Sequence, residues 1–168
     1  MLGLSALGAV NMGVIGLHQL GIVSHLPDPP VRGFDADRVT ASPAAYLFGF
    51  PDAPVEALSL ASNIPLALLA RGPFGERHPS LMVLIGAKCA AEAAVSLWYL
   101  EQMRTHVRAW CAYCLLGTTI NILLAASTLR PARDAWRRTP PAAGAAVVGV
   151  VVGALLLWAA GRGRDARG

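Results

Sequence analysis

Long apolar runs alternate with short polar segments along the chain, and this alternation predicts membrane-spanning helices. A bilayer core of about 30 Å needs roughly 20 mainly apolar residues in a helix. The first run carries no charged side chain, and it lacks the basic start and small-residue end of a cleaved signal peptide. The pattern predicts one membrane domain, 1–168, with five transmembrane helices at about 2–26, 54–70, 80–103, 110–129 and 142–160.

The breaks between these runs contain residues that end helices. Pro54 suits a helix start, and Pro140 and Pro141 mark a stop followed by a restart. Residues 27–53 hold many Pro, Gly and Asp residues, which are typical of a loop with several turns. We therefore expect a polar loop between the first two helices.

Composition and charge support the membrane interpretation. The chain is 55% hydrophobic and 14% charged, whereas soluble domains average about 25% charged residues. The net charge of +4 comes from arginines clustered between apolar runs, so we expect no nucleic-acid binding. Segments 71–79 and 130–139 hold six Arg, against four in 27–53 and 104–109. This bias, weakened by three arginines in the tail, favours a non-cytoplasmic 27–53 loop.

A C-x-x-C pair, Cys111 and Cys114, begins the fourth helix. The helix start offers free N–H groups that stabilise a thiolate, which favours redox chemistry. By position, we expect Cys111 to face water and Cys114 to face a pocket at membrane depth. A haem site is excluded because Leu115 replaces the required His. A zinc site and a chemically inert cysteine pair remain alternatives. Cys89 lies deep in the third helix, and it is predicted to be a packed apolar residue.

Three further polar residues stand out in the third helix. Lys88 and Glu92 are one turn apart at membrane depth, where charges are costly and usually pair. They predict either a structural ion pair or a proton route. Tyr99 belongs to an aromatic cluster that predicts an interfacial belt, although some of its members could line a pocket.

Two segments resemble the vitamin K epoxide reductase family. Residues 110–114, Trp-Cys-Ala-Tyr-Cys, with Gly-Thr-Thr-Ile-Asn at 117–121, are similar to its catalytic helix. Residues 36–43, Ala-Asp-Arg-Val-Thr-Ala-Ser-Pro, and 48–51, Phe-Gly-Phe-Pro, resemble its external loop and second helix. The resemblance implies an all-α integral membrane protein, with a four-helix bundle around a quinone pocket and a fifth C-terminal transmembrane helix.

The resemblance also implies roles for individual residues. Cys111 and Cys114 would accept electrons from a thiol donor and pass them to ubiquinone or menaquinone, with Cys114 nearer the quinone and no metal involved. Quinone-binding residues would be Asn63, Thr118, where animal members carry Tyr, and Asn121. Ser42 matches a loop Ser or Thr and is expected to cap a short helix over the site.

One difference from the family concerns the electron donor. The loop has no shuttle cysteines, and Ala36 stands where the second is expected. We therefore expect a separate thioredoxin-like dithiol partner to reach Cys111 directly, in a bacterial-type member without the fused thioredoxin-like domain. The expected location is the bacterial inner membrane, with the site on the periplasmic side. The alternative is a non-catalytic membrane subunit whose C-x-x-C binds a metal or a partner protein.

Overall fold

The computed structural model describes residues 1–47 and 49–165, so Phe48 of the loop segment lies outside the described residues. The α-helices are accompanied by a 3-10 turn at Pro43–Ala45 and a π-helical turn at Met103–Val107. There is also a two-stranded antiparallel hairpin, formed by Tyr46–Leu47 and Phe50–Pro51. These helices are α1 (Leu2–Gln19), α2 (Ala36–Thr40), α3 (Asp52–Arg71), α4 (Pro73–Arg77), α5 (Pro79–Gln102), α6 (Ala112–Trp136) and α7 (Pro141–Asp165).

The long helices pack side by side. α1 lies mainly against α3, α5 lies mainly against α6, and contacts of α1 with α6 and of α3 with α5 complete the group. By length and composition, Asp52–Arg71, Pro79–Val107 and Ala112–Trp136 can each cross a membrane. The predicted all-α membrane class is confirmed.

The distribution of polar and apolar side chains is that of a bundle surrounded by lipid. Large apolar side chains point outward, with Leu58 73% and Leu129 68% exposed. Polar side chains such as Asn63, Asn121 and Thr128 are buried inside. Water is not available at membrane depth, so polar groups must find partners within the protein.

The first helix is shorter than predicted. α1 ends at Gln19, not at residue 26, because Gly21 adopts a positive φ of 74° that reverses the chain. Leu26 is fully buried, but Leu20 and Ile22 are 58% and 69% exposed. The uncharged run 20–26 therefore lies outside the helix and mostly at the surface.

The fourth predicted helix begins and ends later in the chain than predicted. α6 runs from Ala112 to Trp136, through Pro131, whereas the sequence predicted 110–129. The turns of α6 beyond residue 129 pack in the contact between α5 and α6, and Ala135 is almost fully buried there. α3 and α5 begin within two residues of their predicted starts, and α7 extends to Asp165 instead of residue 160.

Glycines allow the closest approaches between helices. Gly8 faces Leu60 and Ile120, and Gly86 faces Ala132 so closely that an added Cβ would lie 2.4 Å from the Ala132 Cβ. Small residues at such crossings let backbones approach and are the usual basis of helix packing in membranes.

Replacing Gly86 by Ala should lower stability, because α5 and α6 must separate to admit the methyl group. We expect a loss of about 1–3 kcal/mol, the usual cost of overpacking. The measurement is thermal unfolding in detergent followed by tryptophan fluorescence. The control is Gly13→Ala, where an added Cβ meets nothing within 4 Å. A Gly86→Ala protein as stable as Gly13→Ala would contradict the packing.

Asp37 joins the chain after α1 to the start of the loop helix. Its carboxylate accepts the Leu26 N–H at 2.9 Å and pairs with the His25 Nδ1 at 2.5 Å. The Leu26 N–H and the His25 side chain lower the pKa of Asp37. The Asp37 hydrogen bond and charge raise the pKa of His25 above 6.5.

The His25–Asp37 pair should therefore stabilise the fold only within a pH window. The His25 contribution is complete below pH 6.5 and is lost as pH rises through its raised pKa. The Asp37 contribution is complete above pH 3.8 and is lost as pH falls through its lowered pKa. We expect His25→Gln to lower the melting temperature at pH 5.5 and to lower it less as the pH rises beyond the raised pKa of His25. In an Asp37→Asn background the same replacement should show no such pH dependence; a constant difference would contradict the pairing.

Candidate active site

The two cysteines of the C-x-x-C pair meet at the N-terminus of α6. Cys111 is the N-cap residue, and its Sγ accepts the Cys114 N–H at 3.1 Å. The two Sγ atoms are 2.6 Å apart. The free N–H groups and the positive end of the helix dipole favour negative charge on Cys111. The geometry brings both thiols within reach of a reversible disulfide.

A segment of the loop between α1 and α3, residues 33–35, pairs with the backbone of Trp110, next to Cys111, and we call it the strap. The Trp110 N–H donates to Gly33 O at 2.8 Å, and the Asp35 N–H donates to Trp110 O at 2.9 Å. These bonds form a parallel bridge between Phe34 and Trp110.

The expectation that Cys111 faces water is therefore wrong. Its side chain is fully buried, whereas Cys114 is partly exposed. The sequence-based argument used only position along the helix, and the strap comes from a segment about 75 residues earlier in the chain.

Cys114 lies in the wall of a cavity between the helices. The cavity encloses about 50 Å³, enough for a small number of water molecules. Its wall is mainly apolar and includes Met12, Ile15 and Met103. Polar residues are added from five parts of the chain, which are α1, the loop, α3, α5 and α6: Gln19, Thr40, Ser42, Asp52, Glu56, Ser96, Tyr99, Gln102 and Thr118.

Besides Cys114, two of the predicted site residues line this cavity. Thr118 lies one turn below Cys114, and its hydroxyl donates to Cys114 O at 2.9 Å. Ser42 stands at the N-cap of the 3-10 turn, but its hydroxyl donates to Val39 O at 2.7 Å and caps no N–H. The predicted capping role of Ser42 is therefore wrong, because the preceding carbonyl is the nearer partner.

Neither of the two predicted asparagines lines the cavity. Asn121 Nδ2 donates to Glu56 at 2.7 Å and contacts the Ser96 hydroxyl at 2.6 Å, and both partners line the cavity. Asn63 is fully buried, and its Oδ1 accepts from Lys88 Nζ at 2.8 Å. In the described part of the chain, the Asn63 Nδ2 has no hydrogen-bond partner.

The predicted ion pair of α5 is present. Lys88 Nζ lies 2.7 Å from Glu92 Oε1, which also accepts the Ser59 hydroxyl at 2.6 Å. Among residues 1–47 and 49–165, no group of three or more His, Cys, Asp or Glu side chains could hold a metal. The zinc interpretation therefore finds no ligand set in that part of the chain.

The polar residues of the cavity wall that the sequence reasoning missed include Gln19, Asp52 and Glu56. Gln19 was placed inside a long first helix, Asp52 was placed in the loop, and Glu56 was given no role. Glu56 was the available signal, because an acidic residue inside a predicted membrane helix usually marks function. Tyr99 does line the cavity, as one of the two readings of the aromatic cluster allowed.

Two comparisons with known proteins bear on the family of the chain. A comparison with curated proteins finds no match. The family model described as the vitamin K epoxide reductase family matches residues 1–129, which include both C-x-x-C cysteines and every residue that lines the cavity. The chain therefore belongs to the vitamin K epoxide reductase family, and this membership supports a membrane oxidoreductase.

Proposed function

We propose that the protein is a membrane thiol–disulfide oxidoreductase that oxidises a thioredoxin-like dithiol partner and passes the electrons to a quinone. The observation that carries this proposal is the position of Cys114. Its thiol lies 2.6 Å from the Cys111 thiol and also lines an apolar cavity between the helices. One end of the cysteine pair can therefore exchange with a thiol donor while the other meets an apolar acceptor.

The exchange begins with the pair as a disulfide. A thiolate of the partner attacks Cys111 Sγ, the bond between Cys111 and Cys114 breaks, and Cys114 leaves as a thiolate. The second partner thiolate then attacks the mixed disulfide, so the partner leaves oxidised and Cys111 is released. The reduced pair holds two electrons, and its reoxidation delivers them to the quinone, which becomes a hydroquinone.

The cavity has the chemistry of a quinone site but is narrow in this conformation. Apolar walls with few polar groups are typical of such pockets, and Thr118 and Ser42 add hydroxyls. A quinone ring needs more space than about 50 Å³, and the flexible side chains of Met12 and Met103 can provide it by changing rotamer. Ubiquinone and menaquinone both fit this description.

The asparagines keep proposed roles at the quinone. The Asn63 Nδ2 is a buried donor without a partner among the described residues, so it is a candidate hydrogen-bond donor to a quinone oxygen deeper in the bundle. Asn121 acts through Glu56, whose carboxylate it holds at the cavity wall.

The strap determines how the partner gains access. Cys111 is fully buried under the bonds between Trp110 and residues 33–35, so a partner thiol reaches it only after these bonds open. We propose that the partner docks on this side of the protein. The arginine bias supports a periplasmic position for this side in a bacterial inner membrane.

Each cysteine of the pair should be essential for turnover. We expect Cys111→Ala and Cys114→Ala to lower quinone reduction by roughly 10³-fold or more, as for other nucleophile removals. The measurement follows quinone absorbance with a reduced thioredoxin-like protein as donor and the full chain in nanodiscs. When the oxidised, disulfide form of the same thioredoxin-like protein is added instead, Cys114→Ala should accumulate a mixed disulfide through Cys111, which Cys111→Ala cannot form.

Cys89→Ala is the matched control. This third thiol is fully buried in α5 and outside the cavity wall, so its removal should leave turnover unchanged. A wild-type protein that reduces neither ubiquinone nor menaquinone with any dithiol donor would contradict the oxidoreductase and leave the non-catalytic subunit.

A further inference from the structure

Glu56 is an ionisable residue at membrane depth that the cysteine chemistry leaves without a role. It lies one turn below Asp52 on α3 and lines the cavity that Cys114 also lines. Carboxylates within membrane helices are costly and usually serve ion or proton transfer.

The Glu56 carboxylate is held in place from the neighbouring helix. Its Oε1 accepts from Asn121 Nδ2 at 2.7 Å, and Asn121, fully buried, also contacts the Ser96 hydroxyl at 2.6 Å. The hydrogen bond fixes one carboxyl oxygen, and both Glu56 and Ser96 remain part of the cavity wall. Such fixation is what a positioned proton-transfer group requires.

The other acidic residue of the wall is engaged differently. Asp52 accepts from the Gln19 amide at 2.8 Å and also hydrogen-bonds the Tyr99 hydroxyl. These contacts tie Asp52 to α1 and α5 at the outer end of the bundle. Glu56 lies one turn further along α3, and both carboxylates also border a lateral groove of about 700 Å³, which contains the Lys88–Glu92 pair.

Oxidation of two thiols by a quinone moves protons as well as electrons. Cys111–SH, Cys114–SH and quinone give the Cys111–Cys114 disulfide and hydroquinone, so two electrons and two protons leave the cysteines and reach the quinone. A cavity of about 50 Å³ has no room for bulk water, so an ionisable side chain in its wall is well placed to carry these protons.

We propose that Glu56 is the proton-transfer residue of the cavity: its carboxylate accepts the proton that a cysteine thiol loses and donates it to a quinone oxygen. Glu56 carries one proton at a time and returns to its starting state after each transfer. This inference rests on the proposed function, because it assigns a role within that reaction.

The test separates the two half-reactions in the full chain in nanodiscs. The thiol half is reduction of the Cys111–Cys114 disulfide by the dithiol donor, followed by an alkylation mass shift. The quinone half is oxidation of the pre-reduced protein by a short-chain ubiquinone, followed by absorbance. Glu56→Gln keeps the size of the side chain and an oxygen for Asn121. We expect it to slow the quinone half about 100-fold and to leave the thiol half unchanged.

Two companion variants distinguish proton transfer from a loss of charge or structure. Glu56→Asp retains a carboxylate and should recover part of the rate of the quinone half. Glu92→Gln removes a neighbouring charge outside the cavity wall and should keep most of the wild-type rate. The pH profile of the wild-type quinone-reduction rate should contain a sloping limb that is absent from the profile of Glu56→Gln. The titratable groups facing Glu56 are Asp52 on α3, Lys88, Glu92 and Tyr99 on α5, and Cys114 on α6, while α1 faces it with uncharged side chains.

A spectroscopic measurement covers the case in which Glu56→Gln fails to fold. Time-resolved infrared difference spectra, recorded while quinone oxidises the reduced wild-type protein with glutamate labelled by ¹³C, should contain a transient carboxyl band. A Glu56→Gln protein with the wild-type quinone rate and pH limb would overturn the proposal, as would a difference spectrum without a glutamate band. Wild type that reduces no quinone would instead contradict the proposed function.

Discussion

The Gln19 side chain connects three parts of the chain, and the arrangement of the site depends on it. Its amide N–H₂ donates to Asp52 at 2.8 Å and, more weakly, to Thr40 O and Ala45 O. Its oxygen accepts the Ala53 N–H at 3.1 Å. The amide therefore satisfies a free N–H at the start of α3, and it holds the loop between α1 and α3 against the adjoining ends of these two helices. Where these meet, they form the outer wall of the cavity beside Cys114.

The need of buried polar groups for hydrogen-bond partners also explains how the interior of the bundle is arranged. Polar side chains that face away from lipid must pair with one another, since an unpaired polar group in an apolar medium costs several kcal/mol. Asn121, Glu56 and Ser96 form one such group, and Lys88, Glu92 and Ser59 form another. These groups fix the relative positions of α3, α5 and α6, and the first group places a carboxylate where a thiol and a quinone could exchange protons.

The sequence predicted much of the fold and part of the site. Hydrophobic runs and Pro residues located the helices, and the C-x-x-C at a helix start located the cysteine pair. The end of α1 could not be predicted because residues 20–26 are as apolar as a membrane span, and only the turn at Gly21, with its positive φ, ends the helix. The burial of Cys111 was missed for a related reason. Backbone bonds of the strap depend on two distant segments and leave no pattern in either.

The sequence by itself determined the membrane class, the order of the long helices and the position of the two thiols one turn apart on α6. Helical period and hydrophobicity are local properties, so a single chain segment carries them. Tertiary structure alone decided that Cys111 is covered while Cys114 opens into a cavity, and that Gln19, Asp52, Glu56 and Tyr99 share its wall. These residues come from three helices, and which of their faces meet is set by close helix packing and by the pairing of buried polar groups.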